Sequence, residues 1–294
     1  INLDKNLKIT DKEVKTSFGL AYYLHQSLPN ATYVGFTGTP IDKTFEVFGD
    51  VVDAYTMNES VQDEITVRIV YEGRASKVIL KTEKLKEIEE YYAQCVAEGS
   101  SEYQVEESKK ATTGMNAILG DKDRLKAVAE DFVKHYENRV NEGATVCGKA
   151  MFVSSSREIA YNFYKELLEL RPEWGIIKTH EDGIELSEKE MKELKPIAKV
   201  NMVMTRDKDD EKELYDILGT KDDRKELDRQ FKQEKSNFKI AIVVDMWLTG
   251  FDVPFLDSIY IDKPIQEHSL IQTISRVNRK FKGEKVMLLA QVVR

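Results

Sequence analysis

Two arginines near the end of the chain have the spacing and the chemistry to bind a polyphosphate. Arg276 and Arg279 stand three positions apart, and Gln272 lies one helical turn before Arg276. Residues at this spacing share one face of a helix, so the two guanidinium groups would form one fork of hydrogen-bond donors. Segment 263–285 contains six basic and two acidic residues, whereas the whole chain has a net charge of −8. A solvated basic helix face is the alternative, which the apolar residues of segment 270–277 disfavour because they indicate a packed helix.

A second candidate site follows a short apolar run. Residues 35–40 read GFTGTP, in which the hydroxyl groups of Thr37 and Thr39 flank Gly38. In open α/β sheets, ligands bind at the carboxyl ends of strands. This segment could therefore sense a phosphate group or a neighbouring domain. The alternative interpretation is a simple Gly-Pro turn.

A third candidate site follows the apolar run that begins at residue 240. Residues 240–252 read IAIVVDMWLTGFD, so a buried strand leads to Asp245, and Gly250 and Asp252 come after a turn. Glycine lets the backbone approach a ligand closely, and loops that follow strands often carry binding residues. A glycine-containing loop without function is the alternative.

Residues 143–150 match the glycine and lysine spacing of a phosphate-binding P-loop but lack its hydroxyl residue. They fit G-x4-G-K, but Ala150 follows Lys149 where a P-loop has Ser or Thr to hold Mg²⁺. A P-loop also needs a strand before its glycines, whereas the apolar run comes after them here. We interpret this segment as a linker that enters a strand.

Short buried strands that alternate with amphipathic helices would position these groups. Continuous apolar runs predict strands that are buried on both faces. These runs cover residues 33–36, 150–154, 200–204, 240–245, 258–262 and 286–293. Apolar periodicity predicts helices over 16–28, 157–170 and 221–235, and alternation predicts a strand within 61–71. Strands alternating with helices indicate an α/β fold with a parallel sheet.

Composition excludes several classes of protein. The chain has 294 residues, of which 41% are hydrophobic, enough to bury a core and to exclude global disorder. No apolar run approaches the roughly 20 residues of a membrane span. Cys95 and Cys147 are too few for a disulfide framework or a four-ligand zinc site, so a reducing cytoplasm is the expected location. The chain begins at Ile1 and stops directly after an apolar run, and we expect it to be a fragment of a longer protein.

Taken in order, four segments resemble motifs III to VI of superfamily-two helicases. They read GFTGTPI at 35–41, AMFVSSSR at 150–157, IVVDMWLTGFDVP at 242–254, and DKP followed by LIQTISRVNR between 262 and 279. The sequence of these motifs is similar to that of the motor–nuclease (R) subunit of type I restriction enzymes. The similarity extends through VFGDVVDAYTMNESVQ, VYEGR, MTRDKDDEKEL and LGTKDDRKEL. The resemblance implies an α/β fold of RecA-like parallel sheets flanked by helices. It implies the end of a first RecA-like domain over 1–72, a helical bridge over 73–142 and a second RecA-like domain over 143–294.

The same resemblance implies a set of roles, with ATP and Mg²⁺ bound between the two domains and duplex DNA running across both. Arg276 and Arg279 would be arginine fingers that reach the γ-phosphate, with Gln272 beside them. The residues implied at the nucleotide or in its coupling to domain closure are Gly250, Asp252, Thr37, Gly38 and Thr39. The residues implied at the DNA backbone are Ser154, Ser155, Val244, Asp245 and Thr249. The implied partners are double-stranded DNA and the methyltransferase and specificity subunits, with no membrane.

Parts of the family pattern are missing from the chain. TSFG at 16–19 follows a DEAH box in the family, but here Lys12 stands after Asp11 where a second acid is expected. The Walker A lysine and the nuclease carboxylates are also absent, and no metal site is predicted. We therefore expect the intact subunit to hydrolyse ATP and to translocate and cleave DNA, and the fragment alone to be inactive. Two other functions stay open: another superfamily-two translocase in remodelling or repair, and a non-catalytic DNA-binding or assembly module.

Overall fold

The chain folds into two compact units, Ile1–Thr56 and Met57–Arg294. The computed structural model describes residues 6–10, 13–17, 23, 26–38, 45, 48–74, 116, 118–248, 251–263, 270, 273–274 and 288–293.

The described part of the first unit contains one small sheet. Strands β1 (Asn6–Thr10) and β2 (Glu13–Ser17) pair as an antiparallel hairpin, with Asn6 opposite Ser17. Residues 33–36 were predicted as a buried strand, and that prediction is wrong: they have no strand conformation, and Phe36 is 95% exposed. An apolar run becomes a buried strand only beside other strands, and the sheet formed by β1 and β2 does not extend to these residues.

Among the described residues, the second unit is built on six strands: β3 (Ile69–Arg74), β4 (Lys149–Ser154), β5 (Val200–Val203), β6 (Ile240–Val243), β7 (Leu256–Asp262) and β8 (Leu288–Val293). They are parallel and lie in the order β3-β8-β7-β4-β6-β5. Every residue of β4, β6 and β7 is buried, as the continuous apolar runs predict for strands covered on both faces.

Helices precede or connect the strands and complete the α/β architecture. They are α1 (Met57–Gln62), α2 (Lys122–Asn141), α3 (Arg157–Leu170), α4 (Glu188–Glu193), α5 (Lys212–Ile217) and α6 (Lys221–Phe231), with a 3₁₀ turn at Pro172–Gly175. The α3 limits are those predicted from periodicity, because Ser156 caps its first turn and the chain turns at Pro172. None of the helices in the described part of the chain is long and apolar enough to cross a membrane.

Two hydrophobic clusters lie on the two faces of the sheet. Alternate residues of β4 enter different clusters: Phe152 packs with α2 and α3, whereas Met151 and Val153 pack with residues that follow β6. The Phe152 ring stacks on Phe163 of α3 with centroids 3.8 Å apart. These contacts fix β4 at the centre of the unit.

Helix α2 shares a core with the sheet, although its sequence falls in the predicted helical bridge. Its buried residues are Arg124, Leu125, Val128, Ala129, Phe132, Val133 and Tyr136. The centroid of the Phe132 ring lies 4.6 Å from that of the Tyr260 ring on β7. The domain limits 1–72, 73–142 and 143–294 stay a prediction.

Three predicted elements have a boundary more than two residues from the observed one. The helix predicted over 221–235 ends at Phe231. The helix predicted over 16–28 overlaps β2 at its start, although Tyr23 is helical. The strand predicted within 61–71 begins only at Ile69, because α1 ends at Gln62 and a turn follows it. The backbone turns back after α1, where the Ile65 N–H donates to the Ser60 carbonyl at 2.9 Å.

Candidate functional site

Three neighbouring strands end at one edge of the sheet with polar side chains. Strand β4 lies between β6 and β7 and is parallel to both, so their carboxyl ends meet. Strand β4 ends in Ser154, β6 leads to Val244 and Asp245, and β7 ends in Asp262 and leads to Lys263. The chain passes from β6 across β4 to β7, and such a reversal of strand order creates a crevice where ligands bind. We call these strand ends and the loops that follow them the carboxyl edge.

The three consecutive serines at the end of β4 have different roles at the carboxyl edge. Ser154 is fully buried, and its hydroxyl donates to the Ser156 carbonyl at 3.3 Å. The Ser156 hydroxyl accepts from the Ile159 N–H at 3.2 Å and so caps α3. The Ser155 hydroxyl is covered and has no hydrogen-bond partner among the residues that the structure describes. Ser155 is therefore the serine whose hydroxyl is not engaged within the described fold.

An ion pair joins the ends of β6 and β7. The Lys263 ammonium contacts the Asp245 carboxylate and also donates to the Val244 carbonyl at 3.3 Å. The Asp245 side chain is 79% exposed and the Lys263 side chain 22%. Charged groups of both signs are thus presented at the surface of the carboxyl edge.

A second ion pair lies beneath the carboxyl edge, one residue earlier in β7. The Asp262 side chain is fully buried and receives two hydrogen bonds from the Arg124 guanidinium, one of them 3.0 Å long. Arg124 also donates to the Leu119 carbonyl at 3.0 Å, so the pair ties the start of α2 to the end of β7. A charged pair that is buried this deeply fixes geometry, since neither partner can turn to water.

A third ion pair fixes the loop after β5. Arg157, at the start of α3, donates two hydrogen bonds to Asp210 and one to the Thr205 carbonyl. Burial acts to raise the pKa of Asp210, but the hydrogen bonds from Arg157 and from the Asp207 N–H outweigh it and hold that pKa below its usual value. The acidic loop is therefore attached to the helix that Ser156 caps.

Lys149, from the segment that imitates a P-loop, lies at the opposite end of β4. It is fully buried, and its ammonium donates to the carbonyls of Phe238 at 2.8 Å and Gln230 at 3.4 Å. Burial lowers its pKa well below the usual value. The Lys149 amine is engaged inside the fold, at the amino end of its strand rather than in a ligand-facing loop.

Comparison with known proteins decides the family. Residues 147–288, which extend from the approach to β4 into β8, match the family described as type I restriction enzyme subunit R domain 3. The chain is also 37% identical, over 91% of its length, to the type I restriction enzyme HindI endonuclease subunit of Haemophilus influenzae. The chain belongs to the type I restriction enzyme R-subunit family. Residues 9–105 separately match the SWI2/SNF2 ATPase family.

The chain corresponds to only a part of such an R subunit. It spans 23% of the Haemophilus protein and 25% of the putative MjaIXP endonuclease subunit of Methanocaldococcus jannaschii, to which it is 33% identical over 297 aligned residues. A fragment structure of a putative HsdR subunit from Vibrio vulnificus YJ016 superposes with a TM-score of 0.54 at 12% identity, over 87% of this chain and 38% of that one. This likeness confirms the RecA-like α/β fold.

The structure brings some of the predicted R-subunit site residues together. Those that it places at the carboxyl edge are Ser154, Ser155, Val244 and Asp245. Asp252 is exposed and follows the buried Phe251, whose ring stacks on Trp247 with centroids 4.0 Å apart. Thr37 and Gly38 are exposed in the first unit. Those that lie outside the described residues are Thr39, Thr249, Gly250, Gln272, Arg276 and Arg279.

Sequence reasoning missed the ion pairs that organise the carboxyl edge. Asp262 and Lys263 belong to the DKP segment, but their partners lie in distant parts of the chain. Arg124 is 138 positions from Asp262, so no local spacing links them. The one available signal was the charged Asp-Lys pair, which directly follows the apolar residues 259–261.

Proposed function

We propose that this chain is part of the ATP-dependent, DNA-translocating and DNA-cleaving subunit of a type I restriction enzyme. The observation that carries the proposal is the alignment of two type I endonuclease subunits with 91% and 97% of the chain. The carboxyl edge supports it, because three parallel strands end there in polar residues, and ligands of open α/β sheets bind at the carboxyl ends of strands.

We assign contacts with the DNA backbone to the carboxyl edge. The residues proposed are Ser154, Ser155, Val244, Asp245 and Thr249. Backbone contacts position a protein on DNA without reading its sequence, which suits a translocating motor. Among the described members, Ser155 supports the proposal through its unengaged hydroxyl. Asp245 is exposed at the same edge, where its carboxylate would limit the affinity for the phosphates rather than donate a hydrogen bond to them. Ser154 would act by holding the turn, since its side chain is fully buried.

We assign the nucleotide to a position between the two RecA-like domains, with the domain limits given above. Arg276 and Arg279 would stabilise charge that develops on the γ-phosphate, as arginine fingers do, and Gln272 would lie beside them. The residues proposed to contact the nucleotide or to couple it to domain closure are Gly250, Asp252, Thr37, Gly38 and Thr39. Support comes from their order along the chain, which is that of the family motifs.

The part of the chain that the structure describes offers no ready site for the Mg²⁺ of an ATP–Mg²⁺ complex. Within that part, no group of three His, Cys, Asp or Glu side chains could hold a metal ion. The Lys149 amine, which the sequence places after a glycine, is engaged with two carbonyls. We therefore propose that residues elsewhere in the longer subunit hold most of the ATP–Mg²⁺ complex, and that this chain alone is inactive.

ATP hydrolysis tests these assignments. The purified 294-residue chain should show no DNA-stimulated ATP hydrolysis; hydrolysis that Arg276→Ala abolishes would contradict its proposed inactivity. In the longer subunit, Arg279→Ala should lower kcat by roughly 10³ or more with little change in DNA affinity. Normal hydrolysis combined with lost DNA affinity would instead make the two arginines DNA-phosphate contacts.

The proposed partners are double-stranded DNA and the methyltransferase and specificity subunits of the restriction complex, in the cytoplasm. A second candidate function is a remodelling or repair translocase, which the SWI2/SNF2 ATPase match over 9–105 favours. Co-purification of the longer protein with methyltransferase and specificity subunits would separate the two. A motor that assembles with neither subunit would favour the second candidate.

A further inference from the structure

The end of β7 presents two opposite charges to two different environments. The Asp262 side chain points into the protein, where the Arg124 guanidinium holds it, and no part of it is exposed. The next residue, Lys263, reaches the surface beside the end of β6. Because Asp262 is anchored on the inner side, the backbone that carries Lys263 has a fixed position at the carboxyl edge.

The Lys263 ammonium is only partly engaged. An ammonium has three N–H donors, and two acceptors are present here, the Asp245 carboxylate and the Val244 carbonyl. Within segments 118–248 and 251–263, no third acceptor contacts it. The Asp245 side chain is 79% exposed, so water competes for this ion pair and holding it together contributes little to stability. An anion that other contacts bring close can therefore take the place of the carboxylate at small cost.

We propose that Lys263 binds a phosphate of the DNA backbone, and that Asp245 occupies the ammonium until DNA displaces it. The proposal rests on the DNA-binding function assigned above. It adds Lys263 as the main cationic contact with DNA and Asp245 as an anion that competes with DNA for Lys263. Asp245 then acts against binding in two ways, because it holds the lysine and its own negative charge repels the phosphate. Such a competitor keeps each contact weak, as a motor that must release DNA at every step requires.

The test is DNA binding by the 294-residue chain, measured by fluorescence anisotropy with a labelled duplex between 50 and 200 mM salt. Each neutralised phosphate contributes about −0.9 to the slope of log affinity against log salt. The slope measured for Lys263→Gln should therefore be shallower than that of the wild type by about 0.9. When the salt is lowered from 200 to 50 mM, the affinity of Lys263→Gln should rise about 3.5-fold less than that of the wild type. Lys263→Arg should retain the slope.

Asp245→Asn should strengthen binding, and this gain should disappear when Lys263→Gln is also present. Asp182 and Lys178 provide a matched control, since they form an exposed Lys–Asp pair at 2.8 Å near the amino end of β5. Lys178→Gln and Asp182→Asn should leave the salt slope unchanged.

The possible results separate the two proposals. If the wild-type chain binds DNA and Lys263→Gln behaves like Lys178→Gln, Lys263 is only a tie between strands and the inference is wrong while the proposed function stands. If Asp245→Asn strengthens binding equally with and without Lys263, the competitor role is overturned. If the wild-type chain does not bind duplex DNA even at 50 mM salt, the DNA-binding assignment fails as well.

Discussion

Removing Arg124 should destabilise the second unit far more than removing a more exposed arginine that also donates two hydrogen bonds to one carboxylate. In Arg124→Met, the Asp262 carboxylate would stay buried without a partner, because its side chain has no exposed surface and loses both guanidinium hydrogen bonds. Breaking a buried ion pair in this way costs about 3–5 kcal/mol of unfolding free energy. The complete burial of Asp262 places the expected loss toward the upper end of this range.

Helix α2 supplies a matched control for this prediction. Glu137 of α2 receives two hydrogen bonds from Arg171, at 2.6 and 2.7 Å, but these side chains are 34% and 33% exposed. Water can replace the lost partner there, so Arg171→Met should cost no more than about 1 kcal/mol. The contrast between the two variants isolates burial from hydrogen-bond geometry.

Urea unfolding followed by tryptophan fluorescence measures both variants. The two tryptophans, Trp174 and Trp247, are buried in the second unit, so the signal reports on that unit. The double variant Arg124→Met/Asp262→Leu should recover most of the loss, because neither charge remains buried without a partner. A loss below about 1 kcal/mol for Arg124→Met, or a double variant as unstable as the sum of the single variants, would refute the reasoning.

Three further predictions concern single side chains. Burial lowers the pKa of Lys149 in the folded state, so the unfolded chain binds a proton more readily and wild-type stability rises with pH up to the ordinary lysine pKa of about 10.4. Lys149→Met lacks this rise, so its stability relative to wild type should fall as the pH approaches this value, and a constant difference in urea unfolding would contradict this. Burial raises the pKa of Cys147 to about 11, so at pH 8 the reactive thiolate is scarce. Alkylation of Cys147 at pH 8, followed by peptide mapping, should be roughly a hundredfold slower than for a free cysteine, and an equal rate would disprove this. Ser156→Ala removes the cap of α3 and should cost about 1 kcal/mol in the same urea assay, with Ser156→Thr, which can still cap, losing less.

The central sheet could be predicted from the sequence because burial on both faces leaves a local signal. Strands β4 to β8 are apolar runs, and α3 carries both its apolar face and its capping serine within a few residues. Residues 33–36 carry the same kind of signal and form no strand, since hydrophobicity alone does not supply a neighbouring strand. The strand within 61–71 was placed too early for a related reason. The alternation of apolar and polar residues continues through a turn, which is closed by a backbone hydrogen bond to Ser60.

The polar organisation of the site could be predicted only in part. Asp245 and the serines after β4 were found because polar residues follow apolar runs there. Their contacts could not be found, since Asp245 meets a lysine from another strand and Asp262 meets an arginine 138 positions away. Pairings of this kind depend on the order of strands in the sheet, which hydrophobic periodicity does not encode.

The pairing of the first and last strands of the second unit has a consequence for synthesis. Strand β3 joins the sheet through β8, and β8 also covers one side of β7. During translation, β3 emerges early and waits for its neighbour until nearly the whole unit has left the ribosome, while the flank of β7 exposes unpaired backbone groups. A ribosome that stalls before Leu288 would therefore release a sheet that lacks two strands rather than one, with an open edge that favours aggregation.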